Sequence, residues 1–366
     1  MKPWIVVTGS AGFIGQNIIA ELSKSHEIAA LDLIPVNDPN LNQNLNQFEL
    51  DLGNGESIAH FFRIHPRPIA GLINLAAFYS FSNKPSVHYQ RLLRGLPSLA
   101  EQFVRLRTED ACFIQASSMA CLEPLPLGML LNNQSPSVAR WEYPKFKRDS
   151  EEILRSALKF EHYVELVLAA VYSDFCELVP LYKFLSAHRN LSLQRWFFPG
   201  NADRGLTYIH VDDVAAAFKA QLESQSTKRR LLIGEYEPTT YKTIAQIMDV
   251  ELYGFVIPKL KVPKWVAKFG AFVLSKIFKR SFYQPWMIDL VDEHYCFDLQ
   301  AAKEQLNWQP TRSLTRTLPL MVEKLKKNSR LWDSINERRP WSDDDWPQLK
   351  HLEKEPYASQ GIKHGR

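Results

Sequence analysis

The chain has 366 residues, enough for one large domain or two modest ones with their own cores. At 45% hydrophobic and 23% charged residues its composition is that of an ordinary globular protein, which excludes collagen-like, disordered and disulfide-framework chains. A formal charge of +4, from 44 basic and 40 acidic residues, argues against a nucleic-acid partner.

Cys112, Cys121, Cys176 and Cys296 lie far apart with no C-x-x-C, so no metal site is expected and the thiols read as reduced. The first strand starts almost at Met1, leaving no room for a signal peptide, and no uncharged apolar stretch approaches the ~20 residues of a membrane span. A soluble, cytoplasmic protein is expected.

In chain order, residues 4–7 form an apolar run ending at Gly9, and 15–23 follow as a helix with Ile14, Ile18, Ile19 and Leu22 on one face. Strands are expected at 27–31, 48–50 and 71–76, with a helix at 57–64 that turns Ile58, Phe61 and Phe62 inward. A long helix over 86–106 precedes a strand at 111–116; a helix over about 144–159 and a strand at 163–171 follow. Apolar strands alternating with helices predict an α/β fold with a doubly wound parallel sheet.

After residue 172 the alternation loosens and aromatic residues become dense, at Trp196, Phe197 and Phe198 and again from Trp265 to Trp286. The expected organisation is a first domain over 1–172, to which 207–227 returns. A smaller mixed domain covers 173–206 and 228–332, and a polar tail 333–366.

Thr8-Gly9-Ser10-Ala11-Gly12-Phe13-Ile14-Gly15 lies where the first strand turns into the first helix. Glycines there allow a tight turn and let backbone N–H groups approach a pyrophosphate at a helix N-terminus. G-x-x-G-x-x-G also suits a plain turn; the strand before and amphipathic helix after favour a cofactor cradle. Asp32 ends the second strand roughly 20 residues beyond Gly12, where a carboxylate accepts from ribose hydroxyls and repels a 2′-phosphate. That favours NAD over NADP; the alternative is an aspartate capping a turn.

Tyr143 and Lys147 are four residues apart and share one helical face, with Pro144 tolerable in the first turn. An ammonium beside a phenol is expected to lower the phenol pKa and make it a usable acid/base. Y-x-x-x-K also occurs as an exposed helical pair. Ser117-Ser118 at the carboxyl end of the fifth strand, where doubly wound sheets place ligands, strengthens the catalytic reading.

The glycine turn, Asp32, Ser118 and the Tyr143/Lys147 pair, in this order, resemble the extended short-chain dehydrogenase/reductase family, the NAD-dependent epimerases and dehydratases. The likeness runs over about 3–330 and includes Leu50-Asp-Leu52, Asn74-Leu-Ala-Ala77, Thr207-Tyr-Ile-His-Val-Asp-Asp213, Leu232-Ile-Gly234 and Leu306-Asn-Trp-Gln-Pro310. It implies a Rossmann fold binding NAD and a small-molecule substrate, with a homodimer plausible by analogy. It also implies Tyr143 as general acid/base, Lys147 as the ribose-holding, tuning ammonium, and Ser118 as the hydroxyl that polarises the substrate oxygen. The implied cofactor contacts are Gly9, Ser10, Gly12, Phe13, Ile14, Gly15, Asp32, Asp51 (at the adenine), Leu52, Ala76, Ala77, Tyr143, Lys147 and Val171.

Three positions depart from the pattern. Leu92 stands where many relatives carry an asparagine, Val167-Leu168 replaces R-P, and Cys121-Leu122-Glu123 replaces V-Y-G. The G-P-R-Q-like turn of nucleotide-sugar relatives is missing from 172–180, which with the aromatic second domain points to a less polar alcohol or ketone. Residues 259–280 form a basic helix with a broad apolar face. A helix over the substrate pocket with its lysines in solvent is preferred to one lying in a membrane interface. Three functions compete: an oxidoreductase or epimerase at a secondary alcohol or ketone, a nucleotide-sugar epimerase/dehydratase, and a non-catalytic NAD-binding regulator.

Overall fold

The computed structural model describes residues 2–34, 43–158, 162–190, 193–224, 229–277 and 282–337. Its frame is a seven-stranded parallel sheet built from β1 (Trp4–Thr8), β2 (Glu27–Asp32), β3 (Leu45–Glu49), β4 (Ile69–Asn74), β5 (Arg107–Ser118), β6 (Tyr163–Leu168) and one later strand. Between them run α1 (Phe13–Leu22), α2 (Gly55–Ile64), α3 (Val87–Leu106) and α4 (Glu142–Ala157). Within β1 the side chains alternate between two cores: Ile5 and Val7 join Ile18, Ile19 and Leu22 of α1, while Trp4 and Val6 join Phe61, Phe62 and Phe103 of α2 and α3. The strand order, β6-β5-β4-β1-β2-β3, reverses at β1 and β4, which opens a crevice at their carboxyl ends.

Three expectations are corrected. The strand expected over 163–171 is two: β6 stops at Leu168, and β7 (Ala170–Tyr172) leaves the main sheet. Ala169 N–H still reaches Ile233 O at 2.9 Å, whereas Ala170 N–H turns to Thr207 O at 3.1 Å, so backbone partners change at one residue. Past α5 (Val179–Arg189), β8 (Phe197–Pro199) and β9 (Gly205–Leu206), β7 pairs in parallel with β10 (Tyr208–His210), which leads into α6 (Val211–Glu223) on the α1 side.

The second correction concerns 228–232. β11 (Arg230–Ile233) pairs with β6 and forms the edge of the main sheet, so the substrate region cannot begin at 228. The third concerns the tail, because the chain stays folded to 337.

The rest is β12 (Thr239–Thr240), α7 (Tyr241–Tyr253), β13 (Leu260–Val262), α8 (Lys264–Ile277), α9 (Gln300–Leu306), α10 (Leu314–Lys327) and α11 (Ser329–Asn336). Leu181, Leu185, Met248, Leu318, Met321 and Trp332 form its core. Asn336, expected in the tail, is buried, donates to Phe175 O at 2.7 Å and accepts from Glu177 N at 2.8 Å. Residues 338–366 lie outside the described residues, as do 278–281 of the basic segment.

The Thr207–Asp213 element acts as a brace. Buried Asp213 accepts from Thr311 N, Thr311 Oγ1 and Arg312 N, which ties α6 to the approach to α10. Among the described residues no helix is long and apolar enough to cross a membrane.

Candidate active site

The glycine turn leaves no room for side chains. Gly9 has φ +67°, and a Cβ on it would sit 2.8 Å from Ala76 N. On Gly15 a Cβ would come within 2.2 Å of Gly9 O. The turn and the first turn of α1 are thus pressed together and against the end of β4, with backbone facing the crevice.

Asp32 is held from two sides: Oδ2 accepts from Ala11 N at 2.9 Å and Oδ1 from Leu33 N at 2.7 Å. Burial pushes its carboxyl above the ordinary range, and those backbone N–H groups pull it back. Beneath the turn a buried polar ladder crosses three strands. Thr8 Oγ1 donates to Asn74 Oδ1 at 2.6 Å, and Asn74 Nδ2 to Gln115 Oε1 at 2.7 Å. Asn74 therefore locks strand ends together rather than facing a ligand.

Above this frame lies a cavity of about 1480 Å³, more than one small ligand needs. Gly9, Gly12, Phe13, Ile14 and Gly15 lie on its wall, as do Asp32, Asp51, Leu52, Ala76, Ala77 and Val171. Ser118, Tyr143 and Lys147 share the same wall. Ser10 does not: it is buried within the turn, its Cα in the space a Gly15 side chain would need.

Tyr143 stands in the first turn of α4, beside Pro144 as expected. Its ring packs edge-on against Tyr79 at 5.2 Å and lies 5.6 Å from Trp141. Ser118 beside it draws the phenol towards the phenolate. Ser118 Oγ accepts from Ala120 N at 3.3 Å. Lys147 is buried one turn on, donates to Ala116 O at 2.8 Å and has Nζ 5.9 Å from the Tyr143 ring centre.

The electrostatics correct the expected tuning. Burial drives the Tyr143 phenol well above its usual value, with Tyr79 and Cys121 adding to the rise and only Ser118 opposing it appreciably. Lys147 is itself lowered to about 8 by burial, which loosens its hold on its proton while leaving it mainly an ammonium at neutral pH. Desolvation outweighs the ammonium, and Tyr143 rests as a neutral proton donor.

Several participants were missed. Arg91 of α3 ion-pairs with Asp51 on the cavity wall, and Gly53 N–H donates to the same carboxylate at 2.8 Å. Buried Glu151 follows Lys147 by four residues on the same face of α4 and accepts from Ser117 Oγ. It sits with Glu165, Arg155 and Arg230 in a charged cluster behind the site, and burial pushes it up to about 7. The spacing 143, 147, 151 carried that signal; nothing local pointed to Arg91. Leu92 packs among apolar residues on the cavity wall and supplies no polar group there. Among the described residues no cluster of His, Cys, Asp or Glu could hold a metal ion.

With this geometry in place, sequence and structure comparisons agree. The family model described as "NAD dependent epimerase/dehydratase family" matches residues 5–234, and the chain belongs to that family. It is thus an enzyme of an NAD-dependent class, with NAD as cofactor. No curated protein matches it in sequence.

Among solved structures it is similar to dTDP-glucose 4,6-dehydratase from Bacillus anthracis in complex with NAD. The TM-score is 0.68 at 16% identity, covering 91% of this chain and 99% of that one. UDP-glucuronic acid 4-epimerase from Bacillus cereus, with UDP-glucuronic acid and NAD, gives 0.67 at 17%, covering 88% and 99%. UDP-glucose 4-epimerase from Thermotoga maritima, with UDP-glucose, gives 0.66 at 21%, again covering 88% and 99%. At these identities the likeness is one of fold.

The residues present fit NAD. Gly9, Gly12 and Gly15 leave bare backbone on the wall where a pyrophosphate would lie, and Asp32 presents a carboxylate there with Leu33 and Ile34 beside it instead of an arginine.

Proposed function

We propose that this enzyme transfers hydride at a secondary alcohol or ketone of low polarity, as an oxidoreductase or epimerase. Tyr143 is its general acid/base. NAD, when bound, supplies the hydride acceptor or donor. The observation that carries the reading is that Ser118 at the carboxyl end of β5, Tyr143 and Lys147 lie on one cavity wall together with the glycine turn. Ser118 orients the substrate oxygen, Tyr143 gives or takes its proton, and Lys147 holds the ribose and the proton path behind the phenol. The glycine turn receives the pyrophosphate, Asp32 the adenosine ribose, Asp51 and Leu52 the adenine. Ala76, Ala77 and Val171 flank the rest.

The low polarity of the substrate is supported by the far wall, where Phe184, Phe198, Val266, Ala271, Trp286 and Val291 face the space. Past Lys147 and the Arg91–Asp51 pair, the basic residues on the wall among the described ones are His88, which lies against the Phe78 ring, Arg140 and His188. Arg140 is paired with Glu293 and donates to Tyr295 Oη at 2.7 Å; burial holds His188 towards its neutral form. A nucleotide sugar would bring a diphosphate to a wall with no uncommitted cation among those residues. The nucleotide-sugar reading still has the fold neighbours in its favour. UDP and dTDP separate the two: neither is expected to raise the melting temperature, and stabilisation by either would replace the low-polarity reading.

Tyr143→Phe is the test of the chemistry. Turnover should fall by about 10²–10⁴ while NAD affinity stays within a few-fold. Unchanged turnover would leave a dinucleotide-binding regulator. The reading carries a cytoplasmic location, in keeping with four free thiols, and the homodimer implied by the family resemblance.

A further inference from the structure

The helix α8 has two faces, and only one is accounted for by the cavity. Val266, Ala267, Gly270, Ala271 and Leu274 line the cavity, as expected for a helix packed over the substrate space. Two of its lysines, partly exposed, are also ion-paired. Lys264 pairs with Asp292 and Lys268 with Asp289, each at 2.6 Å, so they are braced against the body of the protein.

The outward positions are aromatic instead. Trp265 is 74% exposed and Phe269, one turn on, 67%. They continue onto a strand pair, where β13 lies beside β8 with Leu260 opposite Phe197, 61% and 44% exposed. Phe197 also lines the cavity, so the exposed patch and the apolar wall are two sides of one thin layer.

We propose that this layer is a membrane-docking surface: Trp265, Phe269 and Leu260 enter the interfacial region of a lipid bilayer and set the mouth of the cavity against it. A tryptophan and a phenylalanine on one helical face, flanked by lysines at the level of the polar heads, is how an interfacial helix meets lipid. Exposed Lys261 and the chain's formal charge of +4 suit an anionic surface.

A bilayer fits better than a second copy. The four side chains offer on the order of 500 Å² of apolar surface, below the roughly 800 Å² per partner of a stable interface. They also project from a helix and a strand edge rather than lining a groove. Since the ion-paired lysines have little charge to spare, the aromatic groups dominate the attraction.

The test is co-sedimentation of the full-length protein with sucrose-loaded vesicles of phosphatidylcholine and phosphatidylglycerol in equal parts. Trp265→Ser/Phe269→Ser is run in parallel, since neither residue lines the cavity. Wild type should pellet with vesicles, and the double variant should lose at least about tenfold in partitioning, roughly 1.4 kcal/mol. NAD binding in solution should be unchanged in the variant, which also shows that it is folded. A wild type that stays in the supernatant would overturn the proposal, as would a variant that pellets equally well. Vesicle-independent self-association abolished by the double substitution would overturn it too, by assigning the patch to a second copy. None of these outcomes depends on turnover, so docking and the alcohol/ketone chemistry fail separately.

Discussion

The two halves of the cavity are built on opposite principles. On the cofactor side the wall is backbone: Gly9, Gly15 and the ends of β1 and β4 approach so closely that a single methyl group would collide. On the substrate side the wall is side chain, carried by α5, α8 and short strand pairs with few backbone ties between them. The first half can hold one shape of ligand; the second can change its lining without changing the fold. That difference explains how a chain at 16–21% identity to the three solved structures compared above keeps their frame.

Lys147 sits where the halves meet and gives the largest expected effect. Its replacement by methionine should cut kcat by about 10²–10⁴ through loss of the ammonium behind Tyr143. The same change should stabilise the fold at neutral pH. The folded-state pKa of about 8 lies below the ordinary 10.5, so folding carries a penalty for the buried charge. That penalty is fully present below pH 8 and is relieved as the pH rises from 8 towards 10.5. The gain should approach about 3 kcal/mol near pH 7 in urea titrations and shrink steadily on raising the pH. A variant less stable than wild type at pH 7 would show that the bond to Ala116 O outweighs desolvation.

Gly15→Ala probes the backbone wall. The new methyl group would meet Gly9 O and Ser10 Cα, both held by the sheet, so about 2–3 kcal/mol of stability should be lost. NAD affinity should fall at least tenfold along with it. Asp32→Ala is milder, since the turn survives with Ala11 N and Leu33 N released to solvent or ligand. Isothermal titration should give about tenfold weaker NAD binding, near 1.4 kcal/mol, and loss of the preference over NADP. Unaltered selectivity would place the ribose elsewhere.

The same contrast explains what could be read from sequence. Strands β1, β2, β4 and the second half of β5 announce themselves because a buried parallel strand is apolar along its length, whereas β3 at the sheet edge is polar at Asn46 and Gln47. Glycines at 9 and 15 are legible because only a residue without Cβ fits there. The break at Ala169 was invisible because Val167, Leu168, Ala170 and Val171 are equally apolar, and only the switch of backbone partners from Ile233 to Thr207 separates two strands. β11 was assigned to the wrong unit for a related reason, since four residues cannot announce which sheet they join. The Tyr143–Lys147 spacing was legible, but its electrostatics were not: proximity suggested a lowered phenol, and burial, with Tyr79 adding to it, reversed the sign. Trp265 and Phe269 were visible as aromatic residues, while their exposure depended on which face of α8 met the cavity.

Gly270→Ala tests the other half, and its expected effect is the smallest. Gly270 lies within α8 on the cavity wall, yet a Cβ built on it meets nothing within 4 Å, and its φ is not in the left-handed region. Alanine should therefore stabilise the helix by up to about 1 kcal/mol, the ordinary propensity difference, with no loss from collision. Because the methyl group points into open space, kcat/KM for an accepted alcohol should change less than about tenfold. The informative measurement is the pair: Gly15→Ala and Gly270→Ala compared by urea unfolding and NAD titration in one buffer. Opposite signs in stability would support one wall closed by backbone and the other left with slack. Equal destabilisation would mean that α8 is seated as tightly as the glycine turn, and the freedom assigned to the substrate side would have to be given up.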